Sequence, residues 1–153
     1  MMKHEECLEK SIHYIKAGDH ILSTTSQIVN EPKILLAVLE NVFLSLTNAI
    51  GAILYFERSK KTIPPFHNTF ESKFHMFEQK IIGLHNYSVE DAEFIKNIHK
   101  LVLFHKNSSV EFSRGTTFVM CSEEYDIKKL DVGLLKNSIL LAGKFIQKTQ
   151  SLI

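Results

Sequence analysis

The sequence of 153 residues contains little proline, glycine or cysteine, and its charges almost cancel. Three prolines and six glycines leave little room for long irregular stretches. The two cysteines, Cys7 and Cys121, lie far apart and form no CxxC pair, which indicates reduced thiols rather than the disulfide framework of a secreted protein. The formal net charge of +1 is not the strong basic excess typical of nucleic-acid binding, although a local basic patch can exist within a neutral total.

The usual sequence motifs of catalysis and targeting are also missing. The chain has no P-loop, no GxGxxG run and no nucleophile elbow, and neither cysteine has a local histidine context. Its eight histidines form no HExxH motif and no Glu-x-x-His pair, so we expect no metal site and no cofactor. The first residues, Met1 to Glu6, lack the apolar core of a signal peptide. We therefore expect a cytoplasmic protein.

What the sequence does contain is typical of one globular helical domain spanning residues 1–153. Apolar residues make up 44% and charged residues 23%, and this length is enough to bury a core without disulfides or metals. Apolar side chains at three- and four-residue steps predict a first helix from about Lys3 to Val29, ended by Asn30, Glu31 and Pro32. A second helix, from about Lys33 to Lys60, is apolar almost all round. A short connection makes the two an antiparallel hairpin.

The apolar stretch from Ile34 to Phe56 is long enough to span a bilayer. However, Glu40, Asn41 and Asn48 fall within it, and a carboxylate and two amides at bilayer depth would be costly. We therefore interpret this stretch as a helix enclosed by other helices of a soluble protein, with no membrane contact.

The second half of the chain continues the helical pattern. A Pro-Pro connector precedes a third helix, capped by Asn68 or Thr69, whose apolar stripe begins at Phe70. Residues 83–87 interrupt the pattern, and Ser88 with Asp91 resembles a capping box for a further helical run. The pattern leaves open whether residues 68–107 form one kinked helix or two.

Between residues 107 and 131 the helical period is lost. Alternation from Val110, a turn at Arg114-Gly115-Thr116 and a β-prone run from Thr117 predict a short hairpin. Asp131 is then expected to cap the last helix. The predicted fold is a mainly all-α, antiparallel up-and-down bundle of four to five helices, with a small β-hairpin before the last helix.

A polar stripe on the second helix is the most informative candidate binding feature. Its members follow helical spacing along one side and are Asn41, Ser45, Asn48, Tyr55 and Arg58. In a core helix each such group needs a hydrogen-bond partner. Three interpretations remain open: hydrogen bonds between helices, a self-complementary dimer seam, or a polar pocket for a small molecule.

A second candidate is a basic cluster. Arg58, Lys60 and Lys61 lie at one predicted helix end and His67 follows them, while Lys106, Asn107 and Arg114 lie near another helix end. Basic side chains at a helix C-terminus are often only solvated complements of the helix dipole. If the two ends meet, they would instead form an anion-binding patch suited to a phosphate backbone.

Long antiparallel helices, an internal polar stripe, and an Arg and a His near one helix end resemble the HEPN superfamily. This resemblance implies a small dimeric bundle that is either a metal-independent ribonuclease or toxin, or a non-catalytic partner of a nucleotidyltransferase. The catalytic signature of the superfamily is an Arg, a spacer of four to six residues and a His. The nearest candidates here are Arg58 and His67, whose longer spacer contains Pro64 and Pro65, whereas no His follows Arg114.

These observations give three functional hypotheses. The leading one is a non-catalytic bundle, homodimeric, that binds a protein partner, because the second helix is apolar all round and no catalytic motif is present. The second is RNA cleavage of the HEPN type by Arg58 and His67, through charge stabilisation and proton transfer from the 2′-hydroxyl. The third is a small-molecule pocket around the polar stripe.

Overall fold

The computed structural model describes residues 2–25 and 31–153, which fold into a mainly α-helical bundle with one small sheet before the last helix. Its helical elements, in chain order, are α1 (Lys3–His20), a π-helical turn (Ile21–Thr25), α2 (Ile34–Ser59), α3 (Phe70–Met76), a second π-helical turn (Phe77–Ile81), α4 (Ile82–His85), α5 (Val89–Asn107) and α6 (Val132–Leu152). Its strands are β1 (Val110–Arg114), β2 (Thr117–Cys121) and β3 (Ile127–Leu130). The predicted fold class is confirmed.

The helices α1 and α2 pack closely as the predicted antiparallel hairpin. The Ser11 hydroxyl donates to the Ser45 carbonyl oxygen at 2.8 Å. Farther along α1, Gly18 allows close packing against α2, because a Cβ added at Gly18 would lie 3.2 Å from the Cβ of Asn41. The helical path continues from α1 to residue 25, and the predicted helix end at Val29 and break at Asn30 lie outside the described residues.

The apolar helix α2 is enclosed by other parts of its own chain. It packs against α1, α5 and α6, and 14 of its 26 residues are buried. By length and composition α2 could cross a membrane, but 56% of its most apolar window is buried inside the protein. Its observed bounds, Ile34–Ser59, fall within one residue of the predicted ones at each end.

The helical segment from residue 70 to residue 85 and α5 are two separate helical units. Thr69 caps the first, since its hydroxyl accepts from the Ser72 N–H. The left-handed backbone of Asn86 (φ 57°) ends it, so the chain reverses after His85 instead of at Gly83, where the interruption was predicted to begin. The predicted capping box of Ser88 and Asp91 starts α5.

The sheet contains one strand more than predicted. The hairpin of β1 and β2 forms in the predicted place, with Arg114 opposite Thr117, and β3 pairs antiparallel with the other side of β2. Lys128 and Lys129 interrupt the apolar pattern of β3, and three of its four residues are exposed, which explains why the sequence pattern did not reveal it. Asp131 caps α6 as predicted, accepting from the Leu134 N–H at 2.8 Å.

The bundle has two chemically different ends. The upper end is defined here as the end of the bundle at which α2 ends, and the lower end as the one that carries the sheet. Ser113, beside Arg114, donates a hydrogen bond to Glu31, just before α2 begins. Arg58 lies 24 positions after Ile34, which is about 36 Å along a helix. The basic residues around Arg58 and those around Arg114 therefore do not meet, and they do not form one anion-binding patch.

Candidate functional site

The polar side chains in the lower part of the stripe donate hydrogen bonds to the backbone of α2 itself. The side-chain amides of Asn41 and Asn48 donate to carbonyl oxygens one turn earlier, each at 2.8 Å. Ser45 is fully buried, and its hydroxyl donates to the Val42 carbonyl oxygen at 2.7 Å. One inter-helical bond, from Ser11, joins this part of the stripe to α1. The hydrogen bonds of this part of the stripe thus lie within α2, apart from the bond that joins α2 to α1 through Ser11.

The upper part of the stripe is different, because Tyr55 is surrounded by cations. We call the set formed by Lys3, Cys7, Tyr55, Phe66 and Lys73 the Tyr55 cluster. The ammonium groups of Lys3 and Lys73 lie 4.6 and 5.7 Å from the centre of the Tyr55 ring, and the Phe66 ring is tilted against it at 5.1 Å. Three chain segments meet here: α1, α2 and the region from the connector into α3.

Two polar atoms of this cluster lie against Gly51. A Cβ added at residue 51 would be in ordinary van der Waals contact with both, at 3.4 Å from the Cys7 sulfur and 3.7 Å from the Lys73 Nζ. Gly51 is itself buried in α2, one turn before Tyr55. A thiol and an amine therefore lie in the same niche beside this residue of α2.

The electrostatics of the cluster are unbalanced. Across residues 2–25 and 31–153, neither Lys3 nor Lys73 makes an ion pair with a carboxylate. Burial lowers the pKa of the half-buried Lys73; Cys7 opposes this shift, and the charge of Lys3 adds to it. Burial also raises the pKa of the Cys7 thiol, although the nearby lysines act against it. The niche therefore favours neutral forms of both groups.

The predicted catalytic residues, Arg58 and His67, lie close in sequence to two members of this cluster, Tyr55 and Phe66. Arg58 is half-buried at the end of α2, one turn after Tyr55, and its guanidinium has no hydrogen bond or ion pair with the part of the chain that the structure describes. His67 is exposed in the connector, where its backbone N–H donates to the Ser72 hydroxyl at 2.9 Å. No hydrogen bond joins the Arg58 and His67 side chains.

A buried carboxylate on the opposite side of α2 escaped the sequence analysis. The Glu57 side chain is 1% exposed, and its carboxylate lies 2.6 Å from His85 Nε2, 2.5 Å from Thr62 Oγ1 and 3.5 Å from Lys60 Nζ. Burial acts to raise the pKa of Glu57, but the hydrogen bonds from Thr62 and His85 and the charge of Lys60 outweigh it, and the pKa is lowered. This carboxylate ties the end of α2 to the connector and to α4.

At the lower end, the sheet has an outer face without carboxylates. The register places Val110, Cys121 and Ile127 in one row and Phe112, Val119 and Lys129 in the next, with Arg114 beyond them. The other face, carrying Phe118, Met120 and Leu130, packs into the core. Arg114, a predicted binding residue, thus lies beside Lys129 on the outer face.

A groove of about 690 Å³ lies between α5 and β3. Its walls carry Leu103 and Phe104 from α5 and Ile127 from β3, with Lys100 and Lys128 beside them. Three acidic residues close the end formed by the β2–β3 turn, namely Glu123, Glu124 and Asp126. Leu103 is 40% exposed and Ile127 is 56% exposed, so apolar surface faces solvent on both sides.

The chain matches no known protein family, no curated protein and no solved structure. Its functional assignment therefore depends on the sites described above.

Sequence reasoning identified Tyr55, Arg58 and Arg114 but missed Lys73, the Glu57–His85 pair and the groove. Glu57 and His85 are 28 positions apart, and Cys7 and Lys73 are 66 positions apart. Their spacing along the sequence carries no signal of contact. Glu57 directly follows the apolar stretch that ends at Phe56 and precedes Arg58 and Lys60, so its sequence context is that of a polar helix end and carries no signal of burial.

Proposed function

We propose that this chain is a non-catalytic interaction protein that binds an extended segment of a partner protein in the groove between α5 and β3. The groove itself is the observation that supports this proposal. Its lining includes the exposed side chains of Leu103 from α5 and Ile127 from β3, around a volume of about 690 Å³. Exposed apolar surface in a concave site with a charged rim is typical of a docking site.

The open edge of β3 suits an extended segment. Within the described sheet β3 pairs with β2 on one side only, so its other side offers unpaired backbone donors and acceptors. An added strand would pair with this edge and direct alternate side chains towards Leu103. The groove is lined by two lysines, Lys100 and Lys128, and by three acidic residues, Glu123, Glu124 and Asp126, so charges of both signs border the segment.

The predicted homodimer needs a different basis from the one that first suggested it. The all-round apolar surface of α2 suggested a dimer, but most of this surface is covered by the chain's own helices. Two copies of β3 paired edge to edge would bring Lys128 and Lys129 near their counterparts, which disfavours that arrangement. A second copy of the chain is thus an alternative occupant of the groove, which the experiment must distinguish.

The test is a selection of short random peptides displayed on phage against the immobilised protein. Selected peptides would be synthesised, and their affinity measured by fluorescence polarisation for the wild type and two variants. Leu103→Asp changes the groove wall, while Leu140→Asp changes an equally apolar but remote leucine that is 57% exposed on α6. We expect Leu103→Asp to weaken binding by at least about tenfold and Leu140→Asp to leave it unchanged.

Two results would contradict the proposal. One is equal affinity of selected peptides for both variants, and the other is a selection that yields no peptide binding at micromolar concentration. Light scattering on the wild type tests the alternative occupant. A dimer that Leu103→Asp converts to a monomer would assign the groove to a second copy of the chain rather than to a partner segment.

RNA cleavage by Arg58 and His67 is a second candidate function. It is favoured by the cations without carboxylate partners at the upper end, Lys3 and Lys73, together with the unpaired Arg58. The test compares degradation of total RNA by the wild type, Arg58→Ala and His67→Ala. Cleavage that both substitutions abolish would support the candidate, whereas no cleavage, or equal cleavage by all three proteins, would remove it.

A further inference from the structure

We propose that Lys73 is a nucleophilic amine that accepts an acyl group from small activated acyl donors, namely acyl thioesters or acyl phosphates. This modification site lies at the upper end of the bundle and is independent of the groove. The observation that leads to it is the niche at Gly51, in which the Lys73 ammonium is held without a carboxylate partner among the described residues.

The niche fixes the position of the amine. The Lys73 Nζ lies 3.7 Å from the position of a Cβ on Gly51 and 5.7 Å from the centre of the Tyr55 ring. The Cys7 sulfur lies 3.4 Å from the same Cβ position, so sulfur and nitrogen are no more than about 7 Å apart. The side chain is half-buried, which restricts its motion but leaves part of it open to a small reagent.

Burial of the side chain favours the reactive form of the amine. Lys3 and Cys7 from α1 and Tyr55 from α2 are titratable groups around Lys73. Burial penalises the charged form and has the largest effect on the pKa of Lys73; the Lys3 ammonium acts in the same direction by repelling a second positive charge, whereas Cys7 acts in the opposite direction. Lysines that are desolvated or placed beside another cation are the ones that proteins use as nucleophiles, because only the neutral amine has a free electron pair.

The reaction is a simple acyl transfer. The electron pair of Lys73 Nζ attacks the carbonyl carbon of the donor, forming a C–N bond, and the C–S bond of a thioester or the C–O bond of an acyl phosphate breaks. The amine proton leaves with the thiol or the phosphate, and nothing is oxidised or reduced. The product is a neutral amide, so the niche no longer holds a half-buried cation beside Lys3.

The experiment uses the full chain at neutral pH in two arms. One contains S-acetyl-N-acetylcysteamine, a small thioester, and the other contains acetyl phosphate; peptide mapping by mass spectrometry follows each lysine with time. We expect Lys73 to be acetylated roughly fivefold or more faster than Lys10 and Lys16, which are exposed on α1. The arm that reacts identifies the donor class. A Lys73 rate no higher than those of the exposed lysines, in both arms, would overturn the proposal.

Two controls distinguish the effect of the folded niche on Lys73 from the effects of other lysines and of local sequence. Lys3→Gln removes the neighbouring cation and should shift the pH–rate profile of Lys73 to higher pH, while Lys10→Gln removes a cation from the same helix and should leave the profile unchanged. Labelling is then repeated in concentrated urea. A preference for Lys73 that survives unfolding would assign the reactivity to local sequence and would refute the role of the niche.

Discussion

Glu57 shows how a single residue can hold three segments of this chain together. Its carboxylate is almost completely buried, yet His85 and Thr62 lie within hydrogen-bonding distance and Lys60 is nearby. A buried charge is tolerated only when such partners replace the lost water. The end of α2 therefore depends on α4 and on the connector for its stability.

Replacing Glu57 by Gln should lower the free energy of unfolding by about 1–3 kcal/mol at pH 7. The amide can keep one hydrogen bond, but it loses the charge that strengthens the contacts with His85 and Lys60. Urea unfolding followed by circular dichroism measures the difference. Glu93→Gln is the matched control, because Glu93 is 58% exposed and meets only Lys96 at 3.9 Å. An equal effect of the two substitutions would contradict the stabilising role of Glu57.

The wild type and Glu57→Gln also give a prediction for how stability depends on pH. Because the folded-state pKa of Glu57 lies below its ordinary value of 4.5, its ionisation stabilises the fold fully above that value. This contribution is lost as the pH falls through the lowered pKa. The stability difference between wild type and Glu57→Gln should thus be constant near neutral pH and shrink below pH 4.5. Urea titrations at several pH values check this, and a difference that persists in strong acid would contradict it.

At the scale of helices, two glycines with opposite surroundings make a matched test. Gly143 lies inside α6, and a Cβ added there would meet nothing within 4 Å, whereas one added at Gly18 would lie 3.2 Å from Asn41 Cβ. We expect Gly143→Ala to stabilise the protein by about 0.5–1 kcal/mol, since glycine is a poor helix former. Gly18→Ala should stabilise the protein less than Gly143→Ala does, or destabilise it. Thermal unfolding compares them, and equal gains would show that the α1–α2 contact is not close.

The elements that could be predicted are those with local signals. The helix α2 and the caps at Thr69, Ser88 and Asp131 follow from periodicity and from capping residues a few positions away. The strand β3 has a weak local signal and depends on its pairing with β2. Asn86 lies in the predicted interruption at residues 83–87, and asparagine readily adopts the left-handed conformation at a helix end, but the pattern does not fix which residue of the interruption ends the helix. The same distinction applies to the candidate site residues. Tyr55 and Arg58 could be predicted because they share one face of α2, whereas Lys73 could not, because it reaches Tyr55 from a separate segment.

At the scale of the whole molecule, the arrangement of helices decides which side of α2 faces water. Most of α2 is enclosed by α1, α5 and α6, but a narrow strip remains open. Leu46 is fully buried, while Leu44, two positions away, is 38% exposed. Leu46 therefore belongs to the core of the bundle, whereas Leu44 lies on the open strip.

Charge substitutions at these two leucines test that arrangement. Leu46→Lys should destabilise the protein by about 4 kcal/mol or more and leave it unfolded or aggregated, because it places an unpaired ammonium in the core. Leu44→Lys should change stability by no more than about 0.5 kcal/mol, because its side chain reaches water. Expression without detergent, ultracentrifugation and thermal unfolding of the supernatant measure both. If α2 instead spanned a bilayer, the two variants would behave alike and the wild type would require detergent for extraction.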